Sequence, residues 1–284
     1  MVLQFQVALL HAGWRMDRLL ITSLENDRVK EVVHLRERNF RDKSNLFLIE
    51  GYREILRALD GNVPITRLFI CPELFLGENE EALIARCKGQ IIETSSKVFH
   101  KMSYRDRPDG LIAVAKQERR DLAYLEKLLP KNPLLVVAEA IEKPGNLGTI
   151  LRSADASGCD AVIVCNKCTD IFNPNVVRAS VGTLFTVPVV EATTEEALVW
   201  LKKQNIAILA TMPQAKALYT EIDMQKGVAI AVGTEQLGLS NLMKKEATLQ
   251  VRIPMLGTAD SLNVAMATTL ILYEAVRQRH ARAV

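Results

Sequence analysis

LLVVAEAIEKPGNLGTILRSAD, residues 134–155, joins a short apolar run, rich in β-branched residues, to a glycine-bearing helix start. The same pattern recurs downstream. The runs 161–165 (AVIVC), 206–210 (IAILA), 228–232 (VAIAV) and 249–253 (LQVRI) are short and nearly continuously apolar. Runs of this kind suit strands buried on both faces of a parallel sheet. Helical patterns at 147–157, 176–184, 194–204 and 262–282 separate or follow them. The expected architecture is α/β, with parallel strands and crossover helices. In such sheets ligands sit beyond the carboxyl ends of the strands. Chemistry is therefore sought just after Ala138, Ala210, Val232 and Ile253.

Upstream lies a smaller alternating unit. Residues 26–43 read as one helix, with Val29, Val32, Val33 and Phe40 as its apolar stripe. Arg28, Lys30, Arg36, Arg38, Arg41 and Lys43 are expected on its remaining surface. Strands at 46–49, 66–70, 90–92 and 110–115 alternate with helices at 52–59 and 78–88. A charged stretch, 117–129, then leads to Pro130 and Pro133. The expected division is a leader at 1–19, a first domain at 20–117, a linker at 118–132 and a second domain at 133–284.

Composition bounds what such a chain does. Its 284 residues are 49% hydrophobic and 24% charged, which is ordinary for globular domains and excludes disordered, collagenous and disulfide-scaffold chains. No apolar run approaches the roughly 18–20 residues of a membrane span, so no membrane partner is expected. Residues 1–10 are apolar but lack the flanks of a signal peptide, and residues 1–15 read as a leader or an over-extended start. Five scattered cysteines argue for a reducing, cytoplasmic setting. Lys and Arg total 36 against 33 Asp and Glu, a net charge of +3. Residues 1–120 hold 20 basic and 17 acidic side chains, and the remainder is balanced, so the whole excess lies in the first part. That asymmetry fits a polyanion-facing first domain, and it also fits an ordinary charged surface.

Three strand-end loops carry the candidate chemistry. In the first, Gly145 and Gly148 flank Asn146 at a helix start, where backbone N–H groups can face an anion, and Arg152 follows within the helix. A helix cap with a surface arginine fits equally. In the second, Gly233 and Glu235 leave a buried strand, and Ser240 reads as the cap of the next helix. In the third, Ser261 and Asn263 bracket Leu262 at the mouth of a long apolar helix, as ligand contacts or as caps. Neither a Walker sequence nor a G-x-G-x-x-G fingerprint is present. The histidines, at 11, 34, 100 and 280, avoid these loops. The C-x-x-C of Cys165 and Cys168 has no second pair, so no metal is expected.

Together the three loops resemble, in order, the signature motifs of the SpoU/TrmH-type RNA ribose methyltransferases of the SPOUT superfamily. They are PGNLGTILRSADASG (144–158), VGTEQLGLS (232–240) and IPMLGTADSLNVAMATTLILYEAVRQR (253–279). The segment NPNVVRASVGTLFTVPVV (173–190) resembles the family's middle part. ITSLENDRVKEVVHLR and LFLIEGYREI resemble its small ribosomal-protein-like substrate-binding domain.

The resemblance implies methyl transfer from S-adenosylmethionine to a ribose 2′-hydroxyl of RNA, with 23S rRNA as the expected substrate. It also implies a deep trefoil knot in the second domain and a homodimer. By motif match, Gly233, Ile253 and Leu262 line the cofactor pocket, with Thr211 and Met212 contributing. Asn146, Arg152, Glu235, Ser261 and Asn263 fall on the family's polar active-site positions. Arg28, Lys30, Arg36, Arg38 and Arg41 become candidate phosphate contacts, against the alternative of a solvated helix face. A tRNA methyltransferase, a non-catalytic RNA-binding assembly factor and an α/β enzyme with another nucleotide cofactor are the competing readings.

Overall fold

A computed structural model of the protein describes residues 18–280. Residues 1–17, most of the expected leader, lie outside the described residues. The chain divides into two compact units at Lys116/Gln117.

The first unit contains β1 (Leu19–Ile21), α1 (Asp27–His34), α2 (Arg38–Ser44), β2 (Leu46–Glu50), α3 (Tyr52–Asp60), β3 (Ile65–Ile70), α4 (Glu80–Arg86), β4 (Gln90–Thr94), α5 (Ser96–Met102) and β5 (Leu111–Lys116). Its sheet runs β1-β4-β3-β5-β2. The pairs β1·β4 and β3·β4 are parallel, and β5 is antiparallel to both β3 and β2. Leu48, Phe69, Ile92, Ile112 and Val114 form its core with Val29, Val32 and Leu35.

The helix expected over 26–43 is two helices. The chain breaks at residues 35–37, where Leu35 turns fully into the core. Glu37 adopts an extended conformation ahead of α2. The break frees backbone carbonyls, and Arg41 takes them. Its Nη1 donates to the carbonyls of Leu35 (3.0 Å) and Arg36 (2.7 Å). Arg41 is therefore 1% exposed rather than on the surface. A 3.6-residue pattern of valines does not reveal that the next apolar residue ends the helix.

The second unit contains α6 (Leu122–Glu126), β6 (Leu134–Glu139), α7 (Pro144–Ala156), β7 (Ala161–Cys165), α8 (Pro174–Ala179), β8 (Val189–Ala192), α9 (Thr194–Lys203), β9 (Ala207–Thr211), β10 (Ala217–Leu218), β11 (Val228–Val232), α10 (Asn241–Glu246), β12 (Leu249–Arg252) and α11 (Val264–His280). Its seven-stranded sheet runs β10-β12-β9-β11-β6-β7-β8, and all of its pairings are parallel. The five expected strands are its centre; β8 and β10 extend its edges. Residues 118–132, expected as a linker, fold onto this unit: Leu125 is fully buried in its core, and Leu122, Tyr124 and Leu129 pack against that core.

The strand order positions the site. β6, β7 and β8 step outward in one direction. The chain then returns to β9, and β11 inserts between β9 and β6. The loops after β9, β11 and β12 thus leave the same end of neighbouring strands, the place where a parallel sheet binds ligands.

Candidate active site

A cavity of ≈ 490 Å³ lies beyond those strand ends. Its volume is in the range of small-molecule sites. Thr211 and Met212 line it from the end of β9, Gly233 and Glu235 from the loop after β11, and Ile253, Ser261 and Leu262 from the loop after β12. All five expected cofactor positions meet in this one cavity.

The loop after β11 is closed by its own backbone. The amide N–H of Thr234 donates to the carbonyl of Gly238 (3.0 Å), and the amide N–H of Gly238 donates back to Thr234 (3.1 Å). A Cβ on Gly233 would lie 2.2 Å from the Gly238 carbonyl oxygen, so only glycine fits at that point.

Glu235 projects from this loop into a polar cluster. Its carboxylate accepts from the Lys143 ammonium and from the Asn146 side-chain amide. Asn263 Nδ2 donates to Glu235 Oε1 (3.1 Å) and to Asn146 Oδ1 (3.1 Å). The Asn263 orientation is fixed from behind, because its Oδ1 accepts from the Ala265 amide at the start of α11 (3.0 Å). Three residues from three separate motifs thus form one hydrogen-bonded ring. Hydrogen bonds from Lys143 first, and Asn146 second, hold the Glu235 carboxyl below its usual range. Lys143 went unnoticed in the sequence; its signal was its place immediately before the helix-starting Pro144.

Arg152 stands apart from this ring. It lies on the exposed face of α7 in line with Gly145 and Thr149. No hydrogen bond joins it to Asn146, Glu235 or Asn263. Gly148 serves packing rather than an anion: a Cβ there would lie 2.5 Å from the Ala179 side chain and 2.8 Å from the Val176 carbonyl oxygen on α8.

The basic residues of the first unit divide by environment. Lys30 is exposed beside Glu25 (3.1 Å), and Arg38 is exposed beside Asp42 (3.5 Å). Arg28 is half-buried. Arg36 Nη2 donates to the carbonyls of Lys101, Met102 and Ser103, at 2.9, 2.8 and 2.7 Å, and so closes the end of α5. Arg36 and Arg41 are held by backbone carbonyls, which corrects their expected place on an open phosphate-facing surface. The C-x-x-C pair is not a matched dithiol. Cys165 is buried and its thiol pushed up to about 12, whereas Cys168 is exposed.

The cavity's lining fits a small-molecule cofactor, with a polar residue beside apolar walls. Thr211 is one of the lining residues, and its hydroxyl is buried with no hydrogen-bond partner among the described residues. A buried hydroxyl in that state costs free energy until a ligand engages it. Val232, Ile253, Met255, Leu262 and Val264 supply apolar walls.

Comparison with known proteins identifies relatives of both units. The SpoU rRNA Methylase family profile matches residues 133–273, and an MRM3-like substrate binding domain profile matches residues 26–113. The chain is 30% identical to the 23S rRNA (guanosine(2553)-2'-O)-methyltransferase RlmP of Bacillus subtilis over 89% of this chain and 97% of that one. It is 31% identical to a 23S rRNA (uridine(2479)-2'-O)-methyltransferase of Streptomyces viridochromogenes, over 86% and 87%. A solved RNA 2'-O ribose methyltransferase superposes with a TM-score of 0.81 at 44% identity, covering 92% of this chain and 99% of that one. The AdoMet-bound rRNA methyltransferase from Sinorhizobium meliloti superposes with a TM-score of 0.82 at 33% identity, covering 91% and 97%. On the strength of its motifs, fold and relatives, this chain belongs to the SpoU rRNA methylase family.

Proposed function

We propose that this chain transfers a methyl group from S-adenosylmethionine to a ribose 2′-hydroxyl of 23S rRNA. The observation that carries this reading is Glu235. It lines the cofactor-sized cavity, and it also anchors the polar ring of Asn146 and Asn263 beside it.

S-adenosylmethionine, when bound, supplies a methyl group on a sulfonium centre. The protein's part is positioning, which is a large share of catalysis for an in-line displacement. Thr211, Met212 and the loops carrying Gly233, Ile253 and Leu262 would hold the cofactor. Asn146, Glu235, Ser261 and Asn263 hold the ribose and the loops. Arg152 binds a neighbouring phosphate and stabilises the developing alkoxide. Its guanidinium resists deprotonation, so the proton passes to an RNA phosphate or to water. Lys30 and Arg38, with Arg28, contribute phosphate contacts in the first unit, giving affinity and salt dependence more than sequence choice.

The reading extends to the family's deep trefoil knot, on the resemblance of 253–279, and to a homodimer. On α11 and just before it, Leu262, Met266, Leu270 and Tyr273 form an apolar stripe with exposures of 36%, 62%, 43% and 47%. Such a stripe suits an isologous pairing of two copies. Cytoplasmic placement belongs to the same reading, supported by five free cysteines. Among the described residues no helix is long and apolar enough to cross a membrane.

Calorimetry with S-adenosylmethionine, followed by mapping of ribose methylation in RNA from cells with and without the protein, tests the proposal. A lost 2′-O-methyl mark in 23S rRNA is the expected result. A lost mark in tRNA moves the substrate, and cofactor binding without any lost mark favours an assembly role.

A further inference from the structure

We infer that Glu139 is a positioning residue for methyl transfer: its buried carboxylate fixes the foot of the 233–240 loop, which lines the cofactor cavity and carries Glu235.

Glu139 is the last residue of β6, one position past the Ala138↔Val232 pair with β11. It is 2% exposed and forms no ion pair among the described residues. Three donors converge on its carboxylate instead. Thr194 Oγ1 donates to Oε1 (2.6 Å), Ser240 Oγ donates to Oε1 (2.8 Å), and the Ser240 amide donates to Oε2 (2.7 Å). Ser240 is the residue that ends the loop. Its hydroxyl donates a hydrogen bond to Glu139 and accepts one from the Met243 amide (3.1 Å), capping α10 at the same time. Thr194, at the start of α9, is oriented by Asn166, whose Nδ2 donates to its hydroxyl (2.8 Å).

Burying a carboxylate without a cation is costly, and only a full set of donors offsets it. A residue needed only for packing at this point would be apolar. The three donors share a geometric consequence: they tie the end of β6, the start of α9 and the start of α10 to one point. The loop between Gly233 and Ser240 is thereby held at three levels. Glu139 fixes its foot, the Thr234–Gly238 backbone pair its waist, and the ring of Asn146 and Asn263 its tip. Glu139 does not line the cavity, so it acts through the loop.

This inference rests on the cavity's being the cofactor site. Glu139→Gln keeps the shape but turns an amide N–H₂ toward one of the converging donors. The assays are S-adenosylmethionine affinity by calorimetry, kcat and KM with RNA, and amide exchange across 234–240. The expected result is faster exchange at 238–240, an affinity for S-adenosylmethionine weaker by about 10-fold as the competent loop population falls, and a loss in kcat exceeding any change in KM for RNA. A lower Tm with unaltered cofactor affinity and kcat would overturn the inference, since that is a purely structural role. If Glu139→Gln does not fold, Thr194→Val removes one donor and leaves both Ser240 bonds. It should move all three readouts the same way by less, and unaltered values in all three would also overturn it. Failure of the unaltered protein to bind S-adenosylmethionine would sink the functional reading instead. The exchange comparison would still decide whether Glu139 holds the loop.

Discussion

Asn146 donates its side-chain amide to the Glu235 carboxylate across 89 positions of the chain. One residue stands in the first turn of α7 and the other in the loop after β11. Their meeting ties the end of β6 to the end of β11, two strands that are neighbours only because the chain returns to the middle of the sheet. Asn263 closes the ring from the third motif.

Acid should leave this ring intact well below neutrality. The folded pKa of Glu235 is depressed by Lys143 and then Asn146. A carboxyl of that kind contributes stability in full above its unfolded value and loses it as pH falls through the lower folded value. Cofactor affinity should therefore stay level through the ordinary carboxylate range and drop only beneath it. Lys143→Gln removes the largest cause of the depression, so the acid limb should move to higher pH. An affinity–pH profile by calorimetry checks both, and superimposable limbs would refute the assignment.

The parallel sheet was legible at its centre because strands buried on both faces are apolar throughout. The edge strands β8 and β10 were not, since VVEA and the two-residue AL give no such run. The loops could be located from the strand ends, but not their convergence. Nothing local announces that Asn146, Glu235 and Asn263 share hydrogen bonds; it was the motif resemblance that grouped them. Burial of Arg41 was invisible for a different reason. Arginines on a helical pattern read as solvated, and only the break at Leu35 creates the carbonyls that draw one inward.

Arg41 and Arg38 should behave oppositely. Arg41→Ala strips hydrogen bonds from the carbonyls of Leu35 and Arg36 and empties a packed position. A loss of roughly 2–4 kcal/mol in stability is expected. Arg38→Ala touches an exposed pair with Asp42 and should change stability by less than about 0.5 kcal/mol. If Arg38 meets an RNA phosphate, the same change lowers the slope of log affinity against log salt by roughly 0.7–0.9. Denaturant titration and RNA binding at several salt concentrations separate the two.

The glycines also sort by what surrounds them. A Cβ at Gly233 meets the Gly238 carbonyl oxygen at 2.2 Å and the Leu239 amide nitrogen at 2.4 Å. Gly233→Ala must therefore open the loop, and cofactor affinity should fall by about 10-fold or more. Gly148→Ala presses on Ala179 and should cost about 1–3 kcal/mol of stability through overpacking between α7 and α8. Gly145→Ala meets nothing within 4 Å, so stability should hold or rise slightly. Thermal unfolding and calorimetry on the three variants give the comparison.

Arg152 poses the remaining question of how it joins the ring. It shares α7 with Asn146 but stands on the exposed face of that helix. α7 also packs against α11, where Ser153 and Thr269 share a hydrogen bond of 2.7 Å, and α11 carries the exposed apolar stripe. The proposed twofold pairing through that stripe raises the expectation that α7 of one copy serves the ring of the other. Arg152→Ala alone should keep cofactor affinity and lose turnover on the order of 100-fold or more, as for removal of a transition-state donor. Asn146→Ala should also be inactive. If the chain pairs as proposed, the two variants mixed by joint unfolding and refolding give some dimers in which one site has Asn146 from one copy and Arg152 from the other. Random pairing then restores about one quarter of the native rate if the site is composite. No recovery, with mixed dimers shown to have formed, places Arg152 and the ring in the same copy. Met266→Glu, which puts a charge in the middle of the stripe, should yield monomers by sedimentation and abolish that recovery.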